Sequence, residues 1–242
     1  MSVDEFYCFG PIQSRNKFLG EVSPPYGPGD NFVQCPVNPK HQPLTKRAWE
    51  DLLRSKRVVA RLKHSRRDQM MIWTTPWTYC LIHERLATEM HGRGFTGYSL
   101  APAEVILQDG TTSSDYHRFA ITGWGGLARP ESGIRLISEC KGCTLREYSP
   151  LADPSKLIDE SQWTGEDFFA VWPLYYDCWF MSRRAAEYVR SSRTESCIVR
   201  SLDTPPDVEY PLGFRYGVTV GSVEEMLPAR LARKYRRPPE IL

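Results

Sequence analysis

Two segments of this chain, 99 residues apart, follow the same order of apolar and polar residues. In each, an aromatic and apolar run broken by proline precedes a second apolar run, a helical pattern and a short strand. Leu81–Ala87 aligns in this way with Phe180–Ala186. Short apolar runs bounded by proline or glycine are typical of strands. The pattern predicts two related strand–helix units, at about 70–107 and 168–203.

The predicted helices in these units begin at matching positions. Ser182 precedes the second helical pattern, and serine is a good cap for the amino terminus of a helix. His83 occupies the matching place in the first unit. We expect an α+β fold with a mixed or antiparallel sheet and a few packed helices. Residues 1–242 are expected to form a single domain, in which the proline- and glycine-rich region 10–43 is irregular.

A basic segment lies between the irregular region 10–43 and the first strand–helix unit. The pattern over 46–67 predicts a helix capped by Thr45, and ten Lys and Arg residues lie between Lys40 and Arg67. Such a helix could bind nucleic acid, which is the alternative function for this chain. It could equally be a helix with one solvated basic face.

The remaining composition narrows the class of protein. No apolar run approaches the roughly 20 residues that a membrane span needs, and the first ten residues carry acids where a signal peptide is basic and apolar. We therefore expect a cytoplasmic protein whose seven cysteines are reduced. Cys80 and Cys178 lie in apolar runs and are predicted to be buried. No nucleophile, metalloprotease or phosphate-binding motif occurs, so we expect no enzyme activity.

The two most closely spaced cysteines are Cys140 and Cys143, in the stretch ECKGCT. A C-x-x-C pair commonly presents two thiolates to one zinc ion, and structural zinc takes four ligands. The best candidates for the other two ligands are Cys35 and His41, in the stretch CPVNPKH. The alternative is a pair of reduced thiols in a tight turn that Gly142 allows.

Three pieces of the chain, taken in order, carry a resemblance to a known family. A cysteine-proline loop is followed by IWTTPWTYCLIHERLA, and then by the C-x-x-C pair and DFFAVWPLYYDCWFMSRRAAEYV. Over roughly residues 30–203 this layout resembles the double-CxxCG-motif immunity proteins of bacterial polymorphic toxin systems. The resemblance implies a protein that binds one cognate toxin domain in the cytoplasm. Such a protein has no catalytic centre, does not bind a membrane and has no small-molecule substrate.

The cysteine motifs of this chain depart from that family. The first family motif is C-P-x-C-G, but Asn38 and Pro39 stand here in place of its second cysteine and its glycine. The second motif keeps both cysteines, and Thr144 replaces its glycine. We therefore expect a degenerate site that holds no metal cofactor. The alternative is a zinc site completed by Cys35, His41, Cys140 and Cys143.

The resemblance also directs attention to polar loops that could contact a toxin. Tryptophan, tyrosine and arginine are frequent anchors of protein interfaces, and many toxins are nucleases with basic clefts. An acidic loop around Trp163 combines an aromatic anchor with negative charge. The expected toxin-binding residues are Trp163, Asp159, Glu160, Glu166 and Asp167.

Overall fold

The computed structural model describes residues 6–11, 20–22, 32, 34–41, 58–62, 69–75, 79–174, 178–192, 194, 197–203, 218–220, 227 and 229–234. The strands of this part are β1 (Phe6–Pro11), β2 (Gly20–Val22), β3 (Val58–Leu62), β4 (Met71–Thr75), β5 (Cys80–His83), β6 (Tyr98–Ile106), β7 (Thr112–Ile121), β8 (Gly123–Leu127), β9 (Leu136–Glu139), β10 (Arg146–Tyr148), β11 (Phe168–Trp172), β12 (Trp179–Ser182), β13 (Cys197–Ser201) and β14 (Val218–Val220). The α-helices are α1 (Glu84–Gly92), α2 (Arg183–Ser191) and α3 (Ala229–Lys234). Short 3-10 helices lie at Pro130–Ser132 and Pro154–Lys156.

The strands form three sheets. Six strands close on themselves in the order β2-β3-β6-β7-β5-β4, because β4 pairs with β2. A five-stranded sheet has the order β13-β1-β12-β11-β8, in which β11 and β8 run parallel and the other pairs run antiparallel. The third sheet, β14-β10-β9, is antiparallel. The prediction of an α+β fold with mixed sheets is confirmed.

The two predicted units contain the same elements in the same order. The first is β4-β5-α1-β6 and the second is β11-β12-α2-β13, and α2 begins and ends 99 residues after α1. Each helix is capped by the residue expected from the sequence: His83 Nδ1 accepts from the Arg85 N–H, and Ser182 Oγ accepts from the Ala185 N–H. Local signals thus determine where both helices begin.

The five-stranded sheet is buried on both faces. Cys8, Phe169 and Phe180 face one hydrophobic cluster, whereas Phe9 and Phe168 face the other. Rings pack within each cluster: Phe169 stacks on Phe180 at 5.9 Å, and Phe9 meets Phe168 edge-on at 5.8 Å. Strands covered on both faces are apolar on both sides, which explains their continuous apolar runs. Cys80 and Cys178 are buried, as predicted.

The glycine-rich run at 123–127 forms a strand. All five residues of β8 (Gly123–Leu127) are buried. A Cβ at Gly125 would lie 2.5 Å from the Phe169 ring, and one at Gly123 would lie 2.2 Å from the Phe168 carbonyl oxygen. These glycines therefore allow β8 to approach β11 closely.

The predicted helix over 46–67 is wrong at 58–62, where the chain forms strand β3. Ala60 and Leu62 are buried while Val59 and Arg61 are exposed, which is the alternation of a strand. Strand β3 lies between β2 and β6 in the closed sheet, so pairing with both neighbours overrides the local helical pattern. Residues 46–57 and 63–67 lie outside the described residues. The predicted irregular region 10–43 likewise contains strand β2 and the end of β1.

Candidate metal centre

Four metal-binding side chains from two distant parts of the chain meet at one point. Cys35 and His41 come from the Cys35 loop (residues 34–41), and Cys140 and Cys143 come from the Cys140 turn (residues 140–145) between β9 and β10. Their donor atoms all lie within 4.8 Å of one another. The structure thus brings together all four residues that the sequence proposed as ligands.

The distances within this group fit a tetrahedral ion. Zinc–sulfur bonds of about 2.3 Å place two sulfurs of a tetrahedron about 3.8 Å apart. The Sγ atoms of Cys35 and Cys140 are 3.6 Å apart, and Cys143 Sγ lies 3.7 Å from His41 Nδ1. Three thiols and one imidazole are a common donor set of structural zinc sites. These four residues could therefore bind a metal such as zinc.

The Cys140 turn is shaped by short backbone hydrogen bonds. The Cys140 N–H donates to the Leu145 carbonyl at 2.8 Å, and the Thr144 N–H donates to the Cys140 carbonyl at 2.9 Å. Thr144 has φ +56°, in the left-handed region that favours glycine. This conformation gives a physical reason for the glycine that the second family motif carries at the same place.

Backbone N–H groups also act on the sulfurs of the turn. The N–H groups of Gly142 and Cys143 donate to Cys140 and lower the pKa of its thiol to about 6. Burial raises the pKa of Cys143 to about 11. Of the two thiols, that of Cys140 therefore has the lower pKa.

The Cys35 loop presents its sulfur in a similar way. The Asn38 N–H donates to Cys35 Sγ at 3.3 Å, which parallels the bond from the Cys143 N–H to the Cys140 sulfur. Asn38 thus lies three residues after Cys35, just as Cys143 lies three residues after Cys140, but asparagine has no thiol. The fourth donor comes instead from the ring of His41. The backbone N–H of this residue donates to the backbone carbonyl of Asn38 at 3.0 Å.

The loop and the turn are in direct contact beside the donor atoms. A Cβ at Gly142 would lie 2.6 Å from Val37 Cγ2 and 3.3 Å from Pro36 Cγ. Glycine is therefore needed at position 142 for the close approach of the Cys35 loop. Val37 itself is 66% exposed, so this contact lies at the surface of the protein.

No family model matches this chain, and no curated protein matches it significantly. Within the part of the chain that the structure describes, no helix is both long and apolar enough to cross a membrane. The resemblance to immunity proteins therefore stays a hypothesis.

The acidic loop (residues 159–167) is folded against the core more closely than its polarity indicated. The Trp163 ring meets Phe6 edge-on at 5.0 Å, and its indole N–H donates to the Glu166 carbonyl at 3.0 Å. Asp159 accepts hydrogen bonds from Ser161 and Gln162, which lower its pKa. Glu160 is exposed, and Glu166 and Trp163 are partly exposed.

Asp167, the last residue expected at a toxin interface, is only 6% exposed. Its carboxylate accepts from Arg184 at 2.6 and 2.9 Å, from Ser182 at 2.9 Å and from the Thr96 N–H at 3.0 Å. Burial acts to raise the pKa of Asp167, but these hydrogen bonds outweigh it and hold the pKa below its usual value. Asp167 thus connects the loop between α1 and β6 to the start of α2.

Sequence reasoning did not identify two residues that contribute to these sites. Asn38 contacts the ring of His41 through its side chain, and Arg184 also donates to the Gly94 carbonyl at 3.0 Å. The only sequence signal for Asn38 was its place three residues after Cys35, which matches the spacing of Cys140 and Cys143. No local pattern predicted the partners of Arg184.

Proposed function

We propose that this protein binds one zinc ion through Cys35, His41, Cys140 and Cys143, and that it neutralises a cognate toxin domain by direct binding. The observation that carries the proposal is the convergence of these four donors from loops about one hundred residues apart. The proposed ion would connect the Cys35 loop to the sheet that contains β9 and β10.

The donor set favours a structural role for the metal over a catalytic one. Structural zinc is surrounded by four protein ligands, whereas catalytic zinc keeps a position for water or substrate. Here three thiols and an imidazole would occupy all four positions of a tetrahedron. A closed site of this kind supports the interpretation of the chain as a binding protein.

The arrangement also supports the resemblance to immunity proteins. Two cysteine motifs in that family supply four thiols, and here the same two parts of the chain supply three thiols and His41. A shift of one ligand from position 38 to position 41 would keep the number of donors unchanged. The departures from the family motifs are therefore compatible with a working site.

For the toxin interface we propose the exposed rim of the acidic loop. Glu160 and Glu166 offer accessible or partly accessible carboxylates that would favour a partner with a basic cleft. Trp163 would contribute the exposed part of its ring, while its packing on Phe6 supports the loop from beneath. Asp167 would position this loop through Arg184 instead of contacting the toxin.

Metal analysis tests the zinc site. The purified protein is expected to hold about one zinc per chain after dialysis, and Cys140→Ser or His41→Ala should lower that content. Cys178→Ser is the matched control, because Cys178 is a buried cysteine that does not belong to the group of four donors. A wild-type protein without zinc, purified under reducing conditions with zinc supplied, would contradict the proposed site.

Co-expression with a toxin domain encoded beside this chain tests the binding function. Growth should be rescued and a stoichiometric complex recovered, and Glu160→Lys with Glu166→Lys should weaken that complex. Glu187→Lys, an exposed charge reversal on α2, is the control. Rescue with no recoverable complex at low or moderate salt, or failure of rescue, would reject the proposal. Salt-sensitive retention on nucleic acid would instead favour the nucleic-acid alternative.

A further inference from the structure

Asn38 contacts the imidazole of His41 on the side away from the three sulfurs. Its Nδ2 atom lies 3.0 Å from His41 Nε2, while His41 Nδ1 faces Cys143 Sγ at 3.7 Å. The Asn38 Oδ1 atom is already bonded, because it accepts the Lys40 N–H at 3.0 Å. Asn38 therefore holds the His41 ring through one end of its amide and the loop backbone through the other.

This arrangement sets the tautomer of His41 when no metal is bound. An amide NH₂ group only donates, so His41 Nε2 must accept and its proton must lie on Nδ1. The Nδ1 proton then points toward Cys143 Sγ. A metal at the centre of the four donors would need the lone pair of Nδ1, so this tautomer is the one that cannot bind it.

Metal binding at Nδ1 therefore requires a change at Asn38. The ring proton must move to Nε2, where it needs a hydrogen-bond acceptor, because ligating histidines donate their other N–H to a carbonyl or carboxylate. Turning the Asn38 amide by half a rotation would supply Oδ1 as that acceptor. The Lys40 N–H would then lose its bond to the same oxygen.

We infer that Asn38 is the positioning residue that sets the metal affinity of this site, through the tautomer of His41. The inference rests on the proposed zinc site. A side chain at position 38 that accepts from both the Lys40 N–H and the His41 Nε2 proton, without rotating, should tighten zinc binding. Asp is that acceptor, since one carboxylate oxygen can take the Lys40 N–H while the other takes the Nε2 proton.

The test compares zinc affinities by competition with a chromophoric chelator. Asn38→Asp is expected to bind zinc about tenfold more tightly than wild type, or better, as partners of metal-bound histidines typically change affinity by about 10–100-fold. Ile137→Asp controls for the added charge, because Ile137 lies three residues before Cys140 on β9 and is 60% exposed. It should change the affinity far less than Asn38→Asp.

Two further measurements show whether the effect acts through His41. In a His41→Cys background, Asn38→Asp should no longer tighten binding. Long-range ¹H–¹⁵N spectra of the metal-free wild type should place the His41 proton on Nδ1, and those of Asn38→Asp should place it on Nε2. Such a tautomer change would not follow from a merely structural role of Asn38.

Each outcome has a definite meaning. An affinity of Asn38→Asp equal to that of wild type or of Ile137→Asp would overturn the inference while leaving the zinc site in place. The inference would also be overturned if Asn38→Asp still raised the zinc affinity in the His41→Cys background. A metal-free wild type with the His41 ring proton on Nε2 would overturn it as well. A wild type that binds no zinc would overturn both the site and the inference.

Discussion

The sulfur atoms of Cys35 and Cys140 lie 3.6 Å apart, although 105 residues separate them in the chain. The contact joins the Cys35 loop to the Cys140 turn, which lies between two strands of a small antiparallel sheet. Loop segments without regular hydrogen bonding need other contacts to hold one conformation, and a four-ligand metal would supply them.

Moving the fourth ligand back to position 38 should rescue a damaged site. His41→Ala is expected to lose zinc, and Asn38→Cys in the same chain should restore it. The reason is that Cys35 and residue 38 would then have the spacing of Cys140 and Cys143, with the Asn38 N–H already directed at Cys35 Sγ. Zinc content after dialysis is the measurement. Gln34→Cys, an exposed position next to Cys35, is the control and should not restore binding.

The thiols of the Cys140 turn should differ in reactivity when the metal is removed. Only the thiolate reacts with iodoacetamide, and the pKa of Cys140 is lowered to about 6 while that of Cys143 is raised to about 11. The alkylation rate of Cys140 should thus rise through about pH 6 and level off near neutrality. The alkylation rate of Cys143 should stay low until the pH is far higher. Peptide mapping by mass spectrometry measures both, with buried Cys80 as the unreactive control. Equal rates at pH 7 would contradict this order.

Thr144→Gly should stabilise the protein by about 1 kcal/mol, because the left-handed conformation at φ +56° costs about that much for a residue with a Cβ. Denaturant unfolding measures the change. Ser114→Gly in the exposed part of β7 is the matched control and should destabilise, since glycine weakens a strand interior. A loss of stability in both variants would mean that Thr144 is not strained.

Phe180→Ala should lower the free energy of unfolding by about 3–5 kcal/mol, as large truncations in cores do. Phe180 is fully buried and stacks on Phe169, so its removal would leave a cavity beside a second ring. Ile137→Ala is the control: Ile137 is 60% exposed on β9, and its truncation should change stability by about 0.5 kcal/mol or less. A nearly neutral Phe180→Ala would show that β12 does not pack as described.

Local features of the sequence were enough to locate the two strand–helix units and the start of each helix. Ser182 and His83 cap α2 and α1 because their side chains accept N–H bonds from residues only two or three positions away. The same holds for the backbone of the Cys140 turn, because its hydrogen bonds join Cys140 to Thr144 and to Leu145. Interactions of this range depend only on neighbours in the chain, so residue type and spacing determine them.

The tertiary structure decided everything that needed two distant segments. Strand β3 formed within the predicted helix because β2 and β6 pair with it, and Trp163 turned toward the core because Phe6 lies beneath it. The four donors are the clearest case: the sequence named them but favoured a degenerate site, since Asn38 lacks a thiol. Whether His41 could take that place depended on the path of the Cys35 loop over Gly142, which is set by packing between segments about one hundred residues apart. Such packing leaves no periodic or local trace in either segment alone.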